Sequence, residues 1–126
     1  MTDTVFEITK AAAFDAAHRL PAGGAEGSPY TRLHGHSFRV EVALVGEPDP
    51  KTGCVVDFEV LGAALIAVRE KLDHHFLNDL PDLGIPSLEN IARWIAGELS
   101  PNFSALQSVT VRRPSLGESC RFELVE

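Results

Sequence analysis

Apolar and polar residues alternate with a two-residue period in four stretches of this chain. Residues 4–20 and 34–45 form two long stretches, and residues 108–112 and 119–125 form two short ones. Such alternation is typical of strands that bury one face. The pattern therefore predicts two long strands early in the chain and two short strands at its end. The Gly- and Pro-rich segment 21–30 predicts a loop between the long strands.

A helical period replaces this alternation in the middle of the chain. Asp57 can cap a helix that runs to about Leu72, and Ser87 can cap a second helix that ends before Pro101. The residues expected to be buried on the first helix are Phe58, Leu61, Leu65, Val68 and Leu72. The order strand, strand, helix, helix, strand, strand predicts an α+β fold, in which both helices cover one face of an antiparallel sheet.

Length and composition fit a single domain over residues 1–126. The chain has 126 residues, of which 44% are hydrophobic and 23% charged, and this excludes a disordered chain. No apolar run approaches the roughly 20 residues that span a bilayer. The N-terminus also lacks the pattern of a signal peptide. A cytoplasmic location without a membrane partner is therefore expected, with Cys54 and Cys120 as free thiols.

The net charge narrows the range of partners. It is −7, from 11 basic and 18 acidic residues. Proteins that bind nucleic acid generally need a basic surface, so nucleic acid is not an expected partner. A small anionic ligand is compatible with this charge, because a few arginines in one pocket are enough to bind it. The candidates are Arg19, Arg32, Arg39, Arg112 and Arg113.

Three of the five histidines can meet at one end of the predicted sheet. His34 and His36 are two residues apart on a strand and therefore face the same side. His18 ends the preceding strand, and antiparallel pairing would bring it opposite them. Three neutral imidazoles with an open fourth position are a ligand set of catalytic zinc. The alternative is that residues 34–36 form a polar turn and that His18 is a hydrogen-bonded core residue.

Asp73, His74 and His75 directly follow the first predicted helix. A carboxylate beside an imidazole fixes its tautomer and raises its pKa, which suits general acid–base chemistry near neutral pH. The alternative is a helix C-terminus at which histidines complement the helix dipole. The spacing alone leaves both interpretations open.

Five motifs resemble those of the 6-pyruvoyl-tetrahydropterin synthase superfamily, in the same order and at similar spacings. Residues 14–20 are similar to its first zinc motif, and residues 33–38 to its second. The other three lie at residues 57–58, 72–78 and 86–90. The resemblance covers nearly the whole chain, and within the superfamily it is greatest to the bacterial 6-carboxy-tetrahydropterin synthases of queuosine biosynthesis.

The resemblance implies a fold, an assembly and a reaction. The fold is the tunnelling fold, a four-stranded antiparallel sheet with two helices on one face. The assembly is a homo-oligomer, a trimer or hexamer, whose sheets close into a barrel with sites between subunits. The substrate is a pterin, and the bacterial branch converts 7,8-dihydroneopterin triphosphate to 6-carboxy-tetrahydropterin with loss of triphosphate and acetaldehyde. By position, the Zn²⁺ ligands are His18, His34 and His36, and the acid–base pair is Asp73 and His74.

The sequence departs from the family at the general base. The family's base cysteine lies four residues before the first histidine of the His-Gly-His motif, where this chain has Tyr30. A phenol, with a reference pKa of about 10, is a poorer base than a thiol, with a reference pKa of about 8.5. Either Tyr30 acts as the base with help from the metal, or it only packs in its loop.

A second departure lies where the family binds the pterin ring. There a glutamate of the C-terminal segment accepts hydrogen bonds from the ring. The matching residue here is Arg113, which can only donate. Glu118 can take over this role if the chain folds back between the two residues; otherwise it is an ordinary exposed acid.

Three functions are compatible with these residues. The first is a zinc-dependent lyase of the 6-carboxy-tetrahydropterin synthase type. The second is a diverged relative that acts on another pterin, for example by aldol-type cleavage of its side chain. The third is not enzymatic: a zinc- and pterin-binding protein with little activity, or a structural oligomer.

Overall fold

The computed structural model describes residues 5–21 and 28–124, and it confirms the predicted α+β architecture. A four-stranded antiparallel sheet contains β1 (Phe6–His18), β2 (His34–Gly46), β3 (Leu106–Arg113) and β4 (Glu118–Glu123), in this order. The helices α1 (Phe58–Leu72) and α2 (Leu88–Leu99) connect β2 to β3 and cover one face of the sheet. None of the helices in the described parts of the chain is long and apolar enough to cross a membrane.

The predicted element bounds are accurate to within two residues at most ends. β3 begins two residues earlier than predicted, at Leu106, and β4 ends at Glu123. Most of the loop predicted over 21–30 lies outside the described residues. At its end, Pro29–Thr31 forms a single 3-10 turn.

β1 and β2 pair without interruption from Phe6 opposite Gly46 to His18 opposite His34. Side chains of one parity on both strands face the helices and form the core. Phe14 and Phe38 stand opposite each other in this row, with their rings stacked at a centroid distance of 5.1 Å. Their exposed fractions are 2% and 1%. This buried pair lies next to the histidines and fixes the register at the end of the sheet that carries them.

The helices begin at the predicted caps. The Asp57 carboxylate accepts a hydrogen bond from the backbone N–H of Glu59 at 2.8 Å, and the Ser87 hydroxyl accepts one from Asn90 at 3.2 Å. α1 buries Leu61, Leu65, Val68 and Leu72 as predicted. Phe58 is the exception, because it is 46% exposed and lines a surface groove with Phe6 and Cys54.

The outer edge of β1 is covered along its C-terminal half by the chain that follows α1. Ala17 donates its backbone N–H to the carbonyl of His75 at 3.0 Å, and Arg19 and Asn78 exchange two hydrogen bonds at 2.8 Å. Arg69 adds a further contact by donating its Nε–H to the carbonyl of Ala13 at 2.6 Å. The end of α1 is therefore fixed to the strand that carries His18.

Candidate metal centre and acid–base site

The strand register brings His18, His34 and His36 together. His18 pairs directly with His34, and Ala16 pairs with His36, so the three imidazoles lie on the helix-facing side of the sheet. Their ring centroids are 4.5 Å (His18–His34), 4.7 Å (His34–His36) and 5.1 Å (His18–His36) apart. One ring nitrogen of each lies within 4.8 Å of those of the other two. This cluster could hold one metal ion.

Backbone carbonyls fix the tautomers of two of these rings. His18 donates its Nδ1–H to the carbonyl of Pro86 at 2.9 Å, and His34 donates its Nδ1–H to the carbonyl of Arg32 at 2.8 Å. A carbonyl can only accept, so the proton resides on Nδ1 and the lone pair on Nε2. The Nε2 atoms of all three histidines are buried and have no hydrogen-bond partner among the described residues. Outer hydrogen bonds with free inner nitrogens are the arrangement of metal-binding histidines, so the residues fit a metal.

Burial favours the neutral, metal-binding state of two of these histidines, His18 and His36, by lowering their pKa values. His18 is fully buried, and this burial lowers its pKa to about 4, although the bond to Pro86 opposes the shift. Burial also lowers the pKa of His36, and the nearby charges of His34 and Arg113 lower it further, whereas Glu118 raises it. A proton therefore competes weakly with a metal for His18 and His36 near neutral pH.

Asp73 and His74 form a hydrogen-bonded pair at the end of α1. His74 donates its Nδ1–H to Asp73 Oδ2 at 2.8 Å. Asp15 holds both residues through its backbone, since its N–H donates to Asp73 Oδ1 at 2.9 Å and its carbonyl accepts from the N–H of His74 at 2.7 Å. Arg69 Nη2 lies 3.3 Å from Asp73 Oδ2 and adds a positive charge. Asp73 thus orients the imidazole and keeps Nε2 available to exchange a proton.

An open cleft beside His74 also includes one residue of the histidine cluster, His36. This open cleft has a volume of about 530 Å³, and its lining includes Gly35, His36, Ser37, His74 and Phe76. The side chain of His74 is 80% exposed and is therefore accessible to a ligand in the cleft. The structure thus brings the three histidines together, and of these only His36 lines the cleft beside His74 among the described residues.

Tyr30 lies beside the cluster of three histidines. Its ring packs edge-to-face against His34 at a centroid distance of 5.7 Å, and 40% of the residue is exposed. Its carbonyl accepts a hydrogen bond from the N–H of Leu20 at 2.9 Å, which ties the end of its loop to the end of β1. Its catalytic role stays a prediction.

Arg113 and Glu118 lie opposite each other on β3 and β4, because the chain does fold back between them. The turn Pro114–Leu116 leads into Gly117, whose φ of 66° is left-handed and suits glycine. Arg113 Nε lies 2.9 Å from Glu118 Oε1, but the N–H is not aligned with the oxygen, so the contact is an ion pair without a hydrogen bond.

Sequence reasoning missed the residues that orient the site. The carbonyls of Pro86 and Arg32 leave no signal in the sequence, because any residue carries a carbonyl. The hydrogen bonds of Asp15 to Asp73 and His74 also leave no signal in the sequence, because they use its backbone. Arg69 could have been found, since it lies four residues before Asp73, the spacing at which helical side chains meet.

This fold and site define a class of α+β proteins in which three clustered histidines could hold a metal ion and an Asp-His pair follows the first helix. Residues 7–123 match the sequence model of the 6-pyruvoyl tetrahydropterin synthase family, and the chain belongs to this family, whose members are pterin lyases.

Named relatives and a solved structure agree with this assignment. The chain is 44% identical to 6-carboxy-5,6,7,8-tetrahydropterin synthase from Synechocystis sp., over 73% of each chain. It is 38% identical to dihydroneopterin monophosphate aldolase from Pyrococcus furiosus, over 88% of each. Its fold matches 6-pyruvoyl tetrahydropterin synthase from Caenorhabditis elegans with a TM-score of 0.85, at 23% identity over 99% of each chain.

Acid should weaken the anchoring of Asp73. The hydrogen bond from Asp15, followed by that from His74, lowers the pKa of the Asp73 carboxyl. A carboxyl whose pKa is lower in the folded state stabilises the fold above its unfolded pKa, about 3.9, and this stabilisation is lost as the pH falls through the folded pKa. We therefore expect Asp73→Asn to reduce the pH dependence of the free energy of unfolding below about pH 4. Urea unfolding at a series of pH values measures this. The exposed Asp79, changed to Asn, is the control and should leave the dependence unchanged; an unchanged dependence in Asp73→Asn would contradict the assignment.

Proposed function

We propose that this protein is a zinc-dependent lyase that converts 7,8-dihydroneopterin triphosphate to 6-carboxy-tetrahydropterin, a step of the queuosine pathway. The observation that carries the proposal is the presence of two groups of residues that are both positioned by β1. One is a cluster of three histidines whose buried Nε2 atoms have no hydrogen-bond partner among the described residues, and the other is the Asp73–His74 pair. The 44% identity to the Synechocystis relative of that name supports the same reaction.

His18, His34 and His36 would hold the Zn²⁺, which when bound polarises the oxygens of the substrate side chain. The carbonyls of Pro86 and Arg32 keep two of these rings in the ligating tautomer. Asp73 holds the Nδ1–H of His74, so that Nε2 of His74 can take a proton from the substrate or return one in the open cleft.

Tyr30 is the proposed base in place of the family's cysteine. Its ring packs edge-to-face on His34, one of the proposed metal ligands. A nearby cation lowers the pKa of a phenol by favouring its charged form, which makes tyrosine a better base.

An aldol-type cleavage of a phosphorylated dihydroneopterin is the second candidate. Two observations favour it: the base cysteine is absent, and the relative named dihydroneopterin monophosphate aldolase aligns over 88% of this chain. Such a cleavage breaks the carbon–carbon bond next to the hydroxylated carbon attached to the ring.

The assembly proposed with this function is a homo-oligomer, a trimer or hexamer. Strands β1 and β4 are the two edges of the sheet, and joining such edges between copies satisfies their backbone groups. The cytoplasmic location expected from the sequence stays a prediction.

The products distinguish the candidate reactions. The zinc-loaded protein is incubated separately with 7,8-dihydroneopterin triphosphate and with the monophosphate, and the products are identified by mass spectrometry. The proposed lyase yields 6-carboxy-tetrahydropterin, triphosphate and acetaldehyde from the triphosphate and one water molecule. An aldolase yields a 6-hydroxymethyl pterin and a glycolaldehyde phosphate instead. Binding without turnover of either substrate would refute both and favour a non-enzymatic pterin-binding protein.

The zinc content tests the metal ligands. We expect one zinc per chain in the wild type, measured by elemental analysis after dialysis, and a near-complete loss in His34→Ala, because two imidazoles hold zinc poorly. His75→Ala is the matched control, since His75 lies outside the cluster, and it should retain its zinc. Full zinc occupancy in His34→Ala would refute the assignment.

Removing the Tyr30 hydroxyl tests the base. Tyr30→Phe keeps the ring that packs on His34, so we expect zinc content and particle size to be unchanged while kcat falls by about 10² to 10⁴. Steady-state kinetics and light scattering measure these quantities. If Tyr30→Phe keeps near-normal turnover, another group is the base.

A further inference from the structure

Arg113 places a positive charge on the helix-facing side of the sheet, which also carries His18, His34 and His36. It is the last residue of β3 and has the same parity as Val109 and Val111, which are fully buried. Its side chain therefore faces the helices and the histidines, whereas that of its neighbour Arg112 faces the opposite side. Only 12% of the Arg113 side chain is exposed.

This buried guanidinium contacts one carboxylate, that of Glu118, but its donors are incompletely satisfied by the described residues. Its Nε and Nη1 atoms are buried and make no hydrogen bond with any described residue. Glu118 compensates part of the charge at 2.9 Å, but its side chain is 42% exposed and lies nearer the solvent. Arginine offers five N–H donors in a planar fork that fits two oxygens of a carboxylate or a phosphate. Among the described residues, Nη1 therefore has no hydrogen-bond partner, and Nε has only the misaligned contact with Glu118.

The surrounding charge also favours an anion. The three histidines are neutral when they bind a metal, so a bound Zn²⁺ and Arg113 together carry three positive charges, opposed by the single charge of Glu118. We propose that Arg113 binds an oxyanion of the substrate, a phosphate or a carboxylate, next to the metal centre. This inference rests on the proposed function, because it assigns the substrate class of the same site.

The proposal gives Arg113 and Glu118 different roles. A glutamate that accepts hydrogen bonds from the pterin ring selects ligands by their N–H groups, whereas an arginine selects ligands by their oxygen atoms. The site should therefore prefer a pterin with a charged side chain to one with a neutral side chain. Glu118 limits this preference, because its carboxylate competes with the ligand for Arg113.

Binding of three fluorescent pterins to the zinc-loaded protein tests the proposal. The probes are neopterin, which is uncharged, neopterin monophosphate and 6-carboxypterin; the last two distinguish a phosphate from a carboxylate. We expect at least one charged probe to bind the wild type about tenfold or more tightly than neopterin does, as charge-assisted hydrogen bonds allow. Arg113→Met should remove this preference and change the Kd of neopterin by less than about twofold. Arg112→Met is the matched control and should retain the preference.

Glu118→Gln separates the two roles further. If Arg113 binds the oxyanion, removing the competing charge should tighten the binding of the charged probe and leave neopterin unchanged. Weaker binding of neopterin to Glu118→Gln would instead make Glu118 the ring acceptor and count against the proposal. Arg113→Lys, which keeps the charge without the fork, should keep only part of the preference, and it replaces Arg113→Met if that variant does not fold.

The outcomes separate this inference from the proposed function. Equal binding of neopterin and both charged probes to the wild type would overturn the inference and leave a pterin-binding protein intact. If no pterin binds, the proposed function fails, and inorganic phosphate alone then tests the inference by thermal unfolding. Stabilisation of the zinc-loaded wild type by phosphate, absent in Arg113→Met, would support it. An equal effect on both proteins, or none, would overturn it.

Discussion

The pairing of His18 with His34 across β1 and β2 is the constraint on which the rest of the site depends. Because strand side chains alternate, a slip of one residue would turn His34 and His36 to the open face and leave His18 alone in the core. The same slip would expose Phe38, which stacks on Phe14. The register that buries the apolar row is thus the one that assembles the metal cluster, and core packing determines the position of the ligands.

β1 positions the second half of the site as well, but by its edge. Its inner face carries His18, while the backbone of Asp15 holds Asp73 and His74 at the outer edge. The histidine cluster and the Asp73–His74 pair are therefore both positioned by the same strand, β1, and not by separate loops. Two hydrogen bonds, from the N–H of Asp15 and to its carbonyl, fix the residues that follow α1 to this strand.

The sequence predicts most of this arrangement where a local pattern carries it. Alternation and caps locate the strands and helices, and the position of His18 at the end of the preceding strand predicts its meeting with His34 and His36. What the sequence does not show depends on tertiary contacts. Phe58 fits the apolar face of α1 but lies at its exposed first turn. The contact between Arg113 and Glu118 depends on the left-handed conformation of Gly117. A glycine in the turn allows this conformation, but the sequence alone does not predict it.

The partial coverage of the β1 edge restricts how another strand could add to this sheet. From Ala13 to Arg19, that edge already bonds to Arg69, the residues after α1, and Asn78. An incoming strand can therefore pair only with the part of β1 between Phe6 and Ala12, a stretch similar in length to β4. Main-chain pairing through this edge would stop short of the histidines. A neighbouring chain joined there would contact the histidine end of the sheet only through side chains and turns. The cleft beside His74 would then stay open to small molecules.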